Sequence, residues 1–124
     1  MERKFTQSMR GKTVYWIHHE QDKPCIVFVH GLTANHRLFD GQLEYFKQRY
    51  TVIVWDVPLH GFSVCYRNFT YENCAEELRL LLDLEEIEQA VLVGQSLGGY
   101  ICQEFAARYP KRVLAFVGIR AAPF

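Results

Sequence analysis

The chain has 124 residues, with 14 Lys and Arg against 14 Asp and Glu, so its formal net charge at pH 7 is zero. This length is that of one domain, and the balanced charge provides no basic surface for nucleic acid or an anionic membrane. Hydrophobic residues make up 49% and charged residues 23% of the chain, which is typical of a globular protein and not of a disordered one. No apolar run approaches the ~20 residues of a membrane-spanning helix.

The amino terminus and the cysteines favour a cytoplasmic protein. Residues 1–12 carry charges but lack the apolar segment of a secretory signal. The cysteines form no C-x-x-C pair, which favours free thiols, and a two-disulfide framework in a secreted protein is the alternative. No group of histidines, cysteines and carboxylates has metal-ligand spacing, so we expect neither a metal nor an organic cofactor. The four cysteines are Cys25, Cys65, Cys74 and Cys102.

The first elements in chain order are strands. Residues 4–18 predict two short strands joined by a turn at residues 9–12. Residues 25–29 (CIVFV) form a continuous apolar run of strand length, which is typical of a strand buried on both faces. A loop from His30 then leads into a helix predicted over residues 39–48.

Strands and helices alternate through the rest of the chain. Buried strands are predicted at residues 51–55, 89–93 and 113–119, with helices over 71–84 and 98–109 between them. Thr70 is a suitable N-cap for the first of these helices. This alternation predicts an α/β fold with a mostly parallel sheet, flanking helices and one domain over residues 1–124. Ligands of such sheets bind at the carboxyl ends of the strands.

A G-x-S-x-G motif follows the third buried strand, at Gly94-Gln95-Ser96-Leu97-Gly98. A serine on a sharp strand-to-helix turn needs neighbours that are nearly free of side chains, and Gly94 and Gly98 meet that need. The turn places the Ser96 hydroxyl above the sheet and directs the Leu97 N–H to the same space, at a helix N-terminus. Ser96 is therefore the predicted nucleophile, and a chance match with Ser96 as a helix cap is the alternative.

Two further motifs follow the first two buried strands. His30-Gly31-Leu32 ends the first, where Gly31 lets the backbone pass close to a ligand and the Leu32 N–H is placed to be a second oxyanion donor. We expect His30 to brace this turn through hydrogen bonds and not to act as a base. Residues 56–63 (DVPLHGFS) end the second strand.

Together these three motifs resemble the α/β-hydrolase fold family, in its ester- and lactone-cleaving branch. The resemblance runs from the first hairpin to Pro123 and stops after about the sixth strand. It implies a small-molecule ester or acyl substrate and an oxyanion donor at Leu32. It also implies structural roles for Asp56, His60 and Ser63. Ser96 instead of an aspartate argues against the branches whose nucleophile is a carboxylate.

Two residues depart from the family pattern. Leu59 stands where the family usually has glycine. Arg120 stands at a strand end where relatives more often have an acidic or small residue, and the sequence does not reveal its effect on the site.

The chain lacks the other members of the catalytic triad. A serine hydroxyl is a poor nucleophile until a base removes its proton, and in this fold an acid and then a histidine follow the serine. After Ser96 the sequence has one carboxylate, Glu104, and no histidine. We therefore expect little or no turnover. The incomplete triad has three interpretations. The chain is the amino-terminal part of a longer hydrolase, or a noncatalytic homologue used for binding or assembly, or an enzyme with a nonstandard base, which would be His36 or His60.

The last predicted strand, Val113–Ile119, is long and apolar. Left at the edge of the sheet, it would expose unpaired N–H and C=O groups. We expect self-association through this edge, or a requirement for a complementing segment.

Overall fold

The computed structural model describes residues 1–120, in which one six-stranded sheet carries helices on both faces. The strands are β1 (Glu2–Ser8), β2 (Gly11–His18), β3 (Cys25–Val29), β4 (Thr51–Asp56), β5 (Ala90–Gln95) and β6 (Val113–Ile119). The α-helices are α1 (Asp40–Phe46), α2 (Tyr71–Leu84) and α3 (Leu97–Arg108), with short 3₁₀ turns at His36–Phe39 and Pro110–Arg112. Pro123, to which the resemblance extends, lies outside the described residues.

The sheet has the order β1-β2-β4-β3-β5-β6. The hairpin of β1 and β2 is antiparallel and joins β4 in antiparallel fashion, whereas β4, β3, β5 and β6 run parallel. The expected α/β fold with a mostly parallel core is therefore confirmed. The carboxyl ends of β3, β4, β5 and β6 meet at one edge, which we call the carboxyl edge.

Alternate residues of the central strands feed two separate cores. Val27 and Trp55 pack with α2 and α3 on one face, whereas Phe28 and Val54 pack with Phe39 and α1 on the other. Every residue of β3 and β4 is buried, which explains why both strands are continuous apolar runs.

The local signals in the sequence account for most element boundaries. The Asn73 N–H donates to the Thr70 hydroxyl over 2.9 Å, so α2 begins at the predicted cap. The predicted helix over 39–48 is instead a 3₁₀ turn followed by the shorter α1. The Asn35 side chain accepts from the Arg37 N–H over 2.9 Å and starts that turn early. Strand β5 extends two residues beyond its predicted end because β3 pairs with it as far as Gly94 and β6 as far as Gln95.

Other features of the described residues bear on the sequence predictions. No helix among residues 1–120 is long and apolar enough to cross a membrane. All four cysteines are unpaired, and three of them are buried. Strand β6 lies at the edge of the sheet, with most of its residues exposed.

Candidate active site

Ser96 is the single residue between β5 and α3. Its backbone has φ 53° and ψ −117°, a conformation that residues with a side chain rarely adopt. Two contacts hold it there: the Ser96 N–H donates to the Ile119 carbonyl over 2.8 Å, and the Ser96 carbonyl accepts from the Gly99 N–H over 2.8 Å. The Ser96 side chain forms no capping hydrogen bond with α3, which argues against the alternative of a helix-capping serine.

The glycines beside Ser96 lie where no side chain fits. A Cβ on Gly94 would be 2.6 Å from the Gly98 carbonyl oxygen. A Cβ on Gly98 would be 2.2 Å from the Val29 carbonyl oxygen and 2.4 Å from that of His30. The start of α3 therefore packs directly on the backbone at the end of β3.

The loop after β3 passes against Ser96. A Cβ on Gly31 would lie 3.0 Å from the Ser96 Cβ and 2.2 Å from the Gln95 side-chain oxygen. Leu32 follows on the same loop, with 63% of its surface exposed. The structure thus brings the His-Gly turn and the G-x-S-x-G turn together at the carboxyl edge, as the motifs predict. The roles of the Leu32 and Leu97 N–H groups as oxyanion donors stay predictions.

His30 is fully buried beneath this turn, and both of its ring nitrogens are engaged. The Val57 N–H donates to Nε2 over 3.0 Å, so Nδ1 carries the proton and donates to the Gly31 carbonyl over 2.8 Å. Burial lowers the pKa of His30 from 6.5 to about 4, against the opposing effect of the Gly31 hydrogen bond. A neutral imidazole with both nitrogens occupied braces the turn and does not serve Ser96 as a base.

The loop after β4 is held by the buried Asp56. Its Oδ1 accepts from the His36 N–H over 2.8 Å, and its Oδ2 accepts from the Phe62 N–H over 2.8 Å. The Ser63 hydroxyl donates to the Asp56 carbonyl over 2.6 Å and accepts from the Val14 N–H over 2.8 Å. These bonds tie the loop to itself, to the 3₁₀ turn at His36–Phe39 and to β2.

The two histidines proposed as nonstandard bases each have a hydrogen-bonding ring contact at Nδ1 only among the described residues, and neither contact is with Ser96. The Nδ1 of His36 lies 2.9 Å from Asp56 Oδ1, and its ring stacks on Trp16 with 3.7 Å between centroids. The Nδ1 of His60 lies 3.1 Å from the Pro58 carbonyl oxygen. Within residues 1–120, no hydrogen bond joins Ser96 to a histidine.

Two features near the site have no signal in the sequence. The pair of His36 and Asp56 joins two loops that the sequence places at the same edge of the sheet, but no motif specifies that these two side chains meet. The side-chain oxygen of Gln95 is buried without a hydrogen-bond partner among the described residues. Gln95 is a variable position of the G-x-S-x-G motif, so the motif does not predict the environment of its side chain.

Leu59, which departs from the family pattern, has φ 73°. A leucine in the left-handed region costs about 1 kcal/mol or more, whereas glycine adopts it without strain. We therefore expect Leu59→Gly to raise the free energy of unfolding by about 0.5–1 kcal/mol, measured by urea denaturation. Leu59→Ala, which keeps the strain, is the matched control. A loss of stability in Leu59→Gly equal to that in Leu59→Ala would contradict this account.

Comparison with known proteins agrees with this geometry. The family model of the alpha/beta hydrolase fold matches residues 24–124. The chain therefore belongs to the α/β-hydrolase fold family.

Individual relatives are hydrolases of greater length. An uncharacterized hydrolase of Bacillus subtilis, YugF, is 33% identical over 88% of this chain and 40% of its own length. The 3-oxoadipate enol-lactonase 1 of Acinetobacter baylyi is 34% identical over 73% of this chain and 34% of its own length. The crystal structure of a hydrolase from Pseudomonas aeruginosa superposes with a TM-score of 0.89 at 24% identity, covering 97% of this chain and 46% of that one. This chain spans less than half the length of each.

Proposed function

We propose that this chain supplies the nucleophile and the oxyanion donors of a serine hydrolase that cleaves carboxylic esters or lactones. The observation that carries the proposal is the strained Ser96 backbone between β5 and α3, with Gly31 packed against its Cβ. Similarity to the enol-lactonase, and to an enzyme of Hamiltonella defensa named as a pimeloyl-[acyl-carrier protein] methyl ester esterase, supports the substrate class.

The proposed reaction begins at the Ser96 hydroxyl. Its oxygen attacks the acyl carbon while a base removes its proton, and the carbonyl electron pair moves onto the carbonyl oxygen. The N–H groups of Leu97, at the N-terminus of α3, and of Leu32, on the loop after β3, donate to that oxyanion as preorganised donors. Collapse breaks the bond to the leaving oxygen, which takes the proton from the base and departs as a neutral alcohol or, in a lactone, stays attached as a hydroxyl. Water, deprotonated by the same base, then attacks the acyl-serine ester, and the released serine oxygen recovers the proton as the acid leaves.

The base in this proposal comes from outside the 124 residues. His30 uses both ring nitrogens within the fold, and neither His36 nor His60 forms a hydrogen bond with Ser96 within residues 1–120. The relatives are longer than this chain, which leaves them room for the acid and the histidine. We expect the isolated chain to be nearly inactive, because a serine without its base is a weak nucleophile.

Covalent labelling tests the role of Ser96. We expect an alkyl fluorophosphonate to label the isolated chain slowly, with the adduct on Ser96 in a peptide map. Ser96→Ala keeps the backbone and removes the hydroxyl, so labelling should fall to the level of the unfolded chain. Equal labelling of both proteins would contradict the proposal, and rapid labelling of the isolated chain would show that a working base lies within it.

Assembly through β6 is the second candidate function, for a chain that binds without catalysis. This strand pairs with β5 on one side only, and four of its apolar side chains are substantially exposed. The exposed fractions are 50% for Leu114, 37% for Phe116, 48% for Val117 and 41% for Ile119. A long apolar edge strand of this kind is a template for pairing with another strand.

Sedimentation velocity tests whether the chain associates through the β6 edge. We expect the chain to self-associate at micromolar concentration and Val117→Lys to shift it towards monomer, because a charged edge residue opposes strand pairing. Leu84→Lys is the matched control, since Leu84 is 56% exposed at the end of α2, away from β6. A wild-type monomer, or equal shifts in the two variants, would contradict assembly through β6.

A further inference from the structure

Arg120 lies beside the proposed nucleophile. In the parallel register of β5 and β6, Gln95 pairs with Ile119. The Ser96 N–H donates to the Ile119 carbonyl over 2.8 Å, so Arg120 follows the residue to which Ser96 is bonded. Strand β6 ends there in a bend, and Arg120 has φ 54°. Its side chain therefore starts at the carboxyl edge, next to the turn that carries Ser96.

The Arg120 guanidinium has no acidic partner among residues 1–120. Five other arginines of the chain form ion pairs with carboxylates over 2.7–3.8 Å: Arg10, Arg37, Arg79, Arg108 and Arg112. The carboxylate of Asp56, at the end of β4, is buried and already accepts from His36 and Phe62. Arg120 is exposed, and no carboxylate of residues 1–120 holds its side chain.

The start of α3 adds positive potential at the same place. This helix has 12 residues, and its N-terminus follows Ser96, whose side chain does not cap it. A helix N-terminus favours a negative group through its dipole and its unsatisfied N–H groups. A guanidinium presents several N–H donors that match a carboxylate.

From these observations we infer that Arg120 is a specificity-determining residue that binds an anionic group on the acyl part of the substrate. The preferred substrates are then half-esters or lactones that carry a free carboxylate a few bonds from the scissile acyl carbon. This inference rests on the proposed function, in which the acyl carbon sits over Ser96.

Ligand binding tests the inference without turnover. In an NMR titration of the full chain at low salt, we expect monomethyl glutarate to bind about fivefold more tightly than dimethyl glutarate, as an exposed charge pair allows. The amides of Gly31, Leu97 and Arg120 should shift. The preference should shrink at high salt because ions screen exposed charges.

Charge variants separate a local effect from a general one. Arg120→Gln should abolish the preference and Arg120→Lys should keep part of it. Lys111→Gln, with the same charge change in the 3₁₀ turn before β6, should leave it unchanged. Equal binding of the two esters by the wild type, or equal losses in Arg120→Gln and Lys111→Gln, would overturn the inference. Ser96→Ala should keep the preference, so failure of the labelling experiment and failure of this one are distinguishable.

Discussion

Replacing Gly98 by alanine is expected to lower the free energy of unfolding by about 3 kcal/mol, at the upper end of the usual cost of overpacking, because the new methyl group would overlap backbone atoms. The Cβ would lie 2.2 Å from the Val29 carbonyl oxygen and 2.4 Å from that of His30. Both contacts are with the backbone at the end of β3, so no side-chain rotation relieves them. Relief requires α3 to move away from β3, which would also displace Ser96 from Gly31.

Gly41→Ala is the matched control for this substitution. Gly41 lies in α1, and a Cβ there would meet nothing within 4 Å. Alanine should raise stability at that site by about 0.5 kcal/mol, because it favours the helix over the unfolded chain. Urea denaturation of both variants measures the difference. A Gly98→Ala protein as stable as the wild type would show that α3 does not pack on β3 as described.

Acidification from pH 6.5 to pH 4 is expected to destabilise the fold by about 3 kcal/mol through His30 alone. Burial lowers the pKa of His30 from 6.5 to about 4, so between these values the unfolded chain binds a proton that the folded chain does not. The contribution of His30 is complete above pH 6.5 and is lost as the pH falls to 4. Below that value both states are protonated, and no further loss from this residue follows.

His30→Asn isolates this effect, since an amide offers a donor to Gly31 and an acceptor to Val57 but does not titrate. We expect the variant to be less stable at pH 7 and to lack most of the acid dependence above pH 4.5. Glu76 and Glu85, whose pKa values the structure lowers through their hydrogen-bonded partners despite burial, titrate below that range. Identical pH profiles of the variant and the wild type would contradict the assignment of a buried, neutral imidazole.

Much of the fold was predictable because local signals and burial agree. Strands β3 and β4 are apolar on both faces, and the structure buries every residue of both. The Thr70 cap placed the start of α2 correctly. The strand order was not readable from these signals, since periodicity says nothing of which strands are neighbours. The boundaries of α1 and β5 shifted because an Asn35 cap and pairing across Gly94 override propensity.

The candidate site was predictable where it depends on backbone geometry. Close approach of the backbone requires glycine at positions 31, 94 and 98, and the sharp turn carries the serine at position 96. Such requirements fix the residue types, so they are visible in the sequence as motifs. Contacts between side chains that are distant in sequence produce no motif. The pair of His36 and Asp56, stacked on Trp16, and the buried oxygen of Gln95 became visible only in three dimensions.

The central claim is that the chain holds a nucleophile and its oxyanion donors while its base lies elsewhere, and chemical rescue tests this most directly. The rate of fluorophosphonate labelling is measured on the isolated chain with and without added imidazole, which replaces the missing base. We predict slow labelling without imidazole and a marked, saturable acceleration with it, confined to Ser96 and lost in Ser96→Ala. Labelling that is already rapid without imidazole, or an acceleration that persists in Ser96→Ala, would contradict the claim.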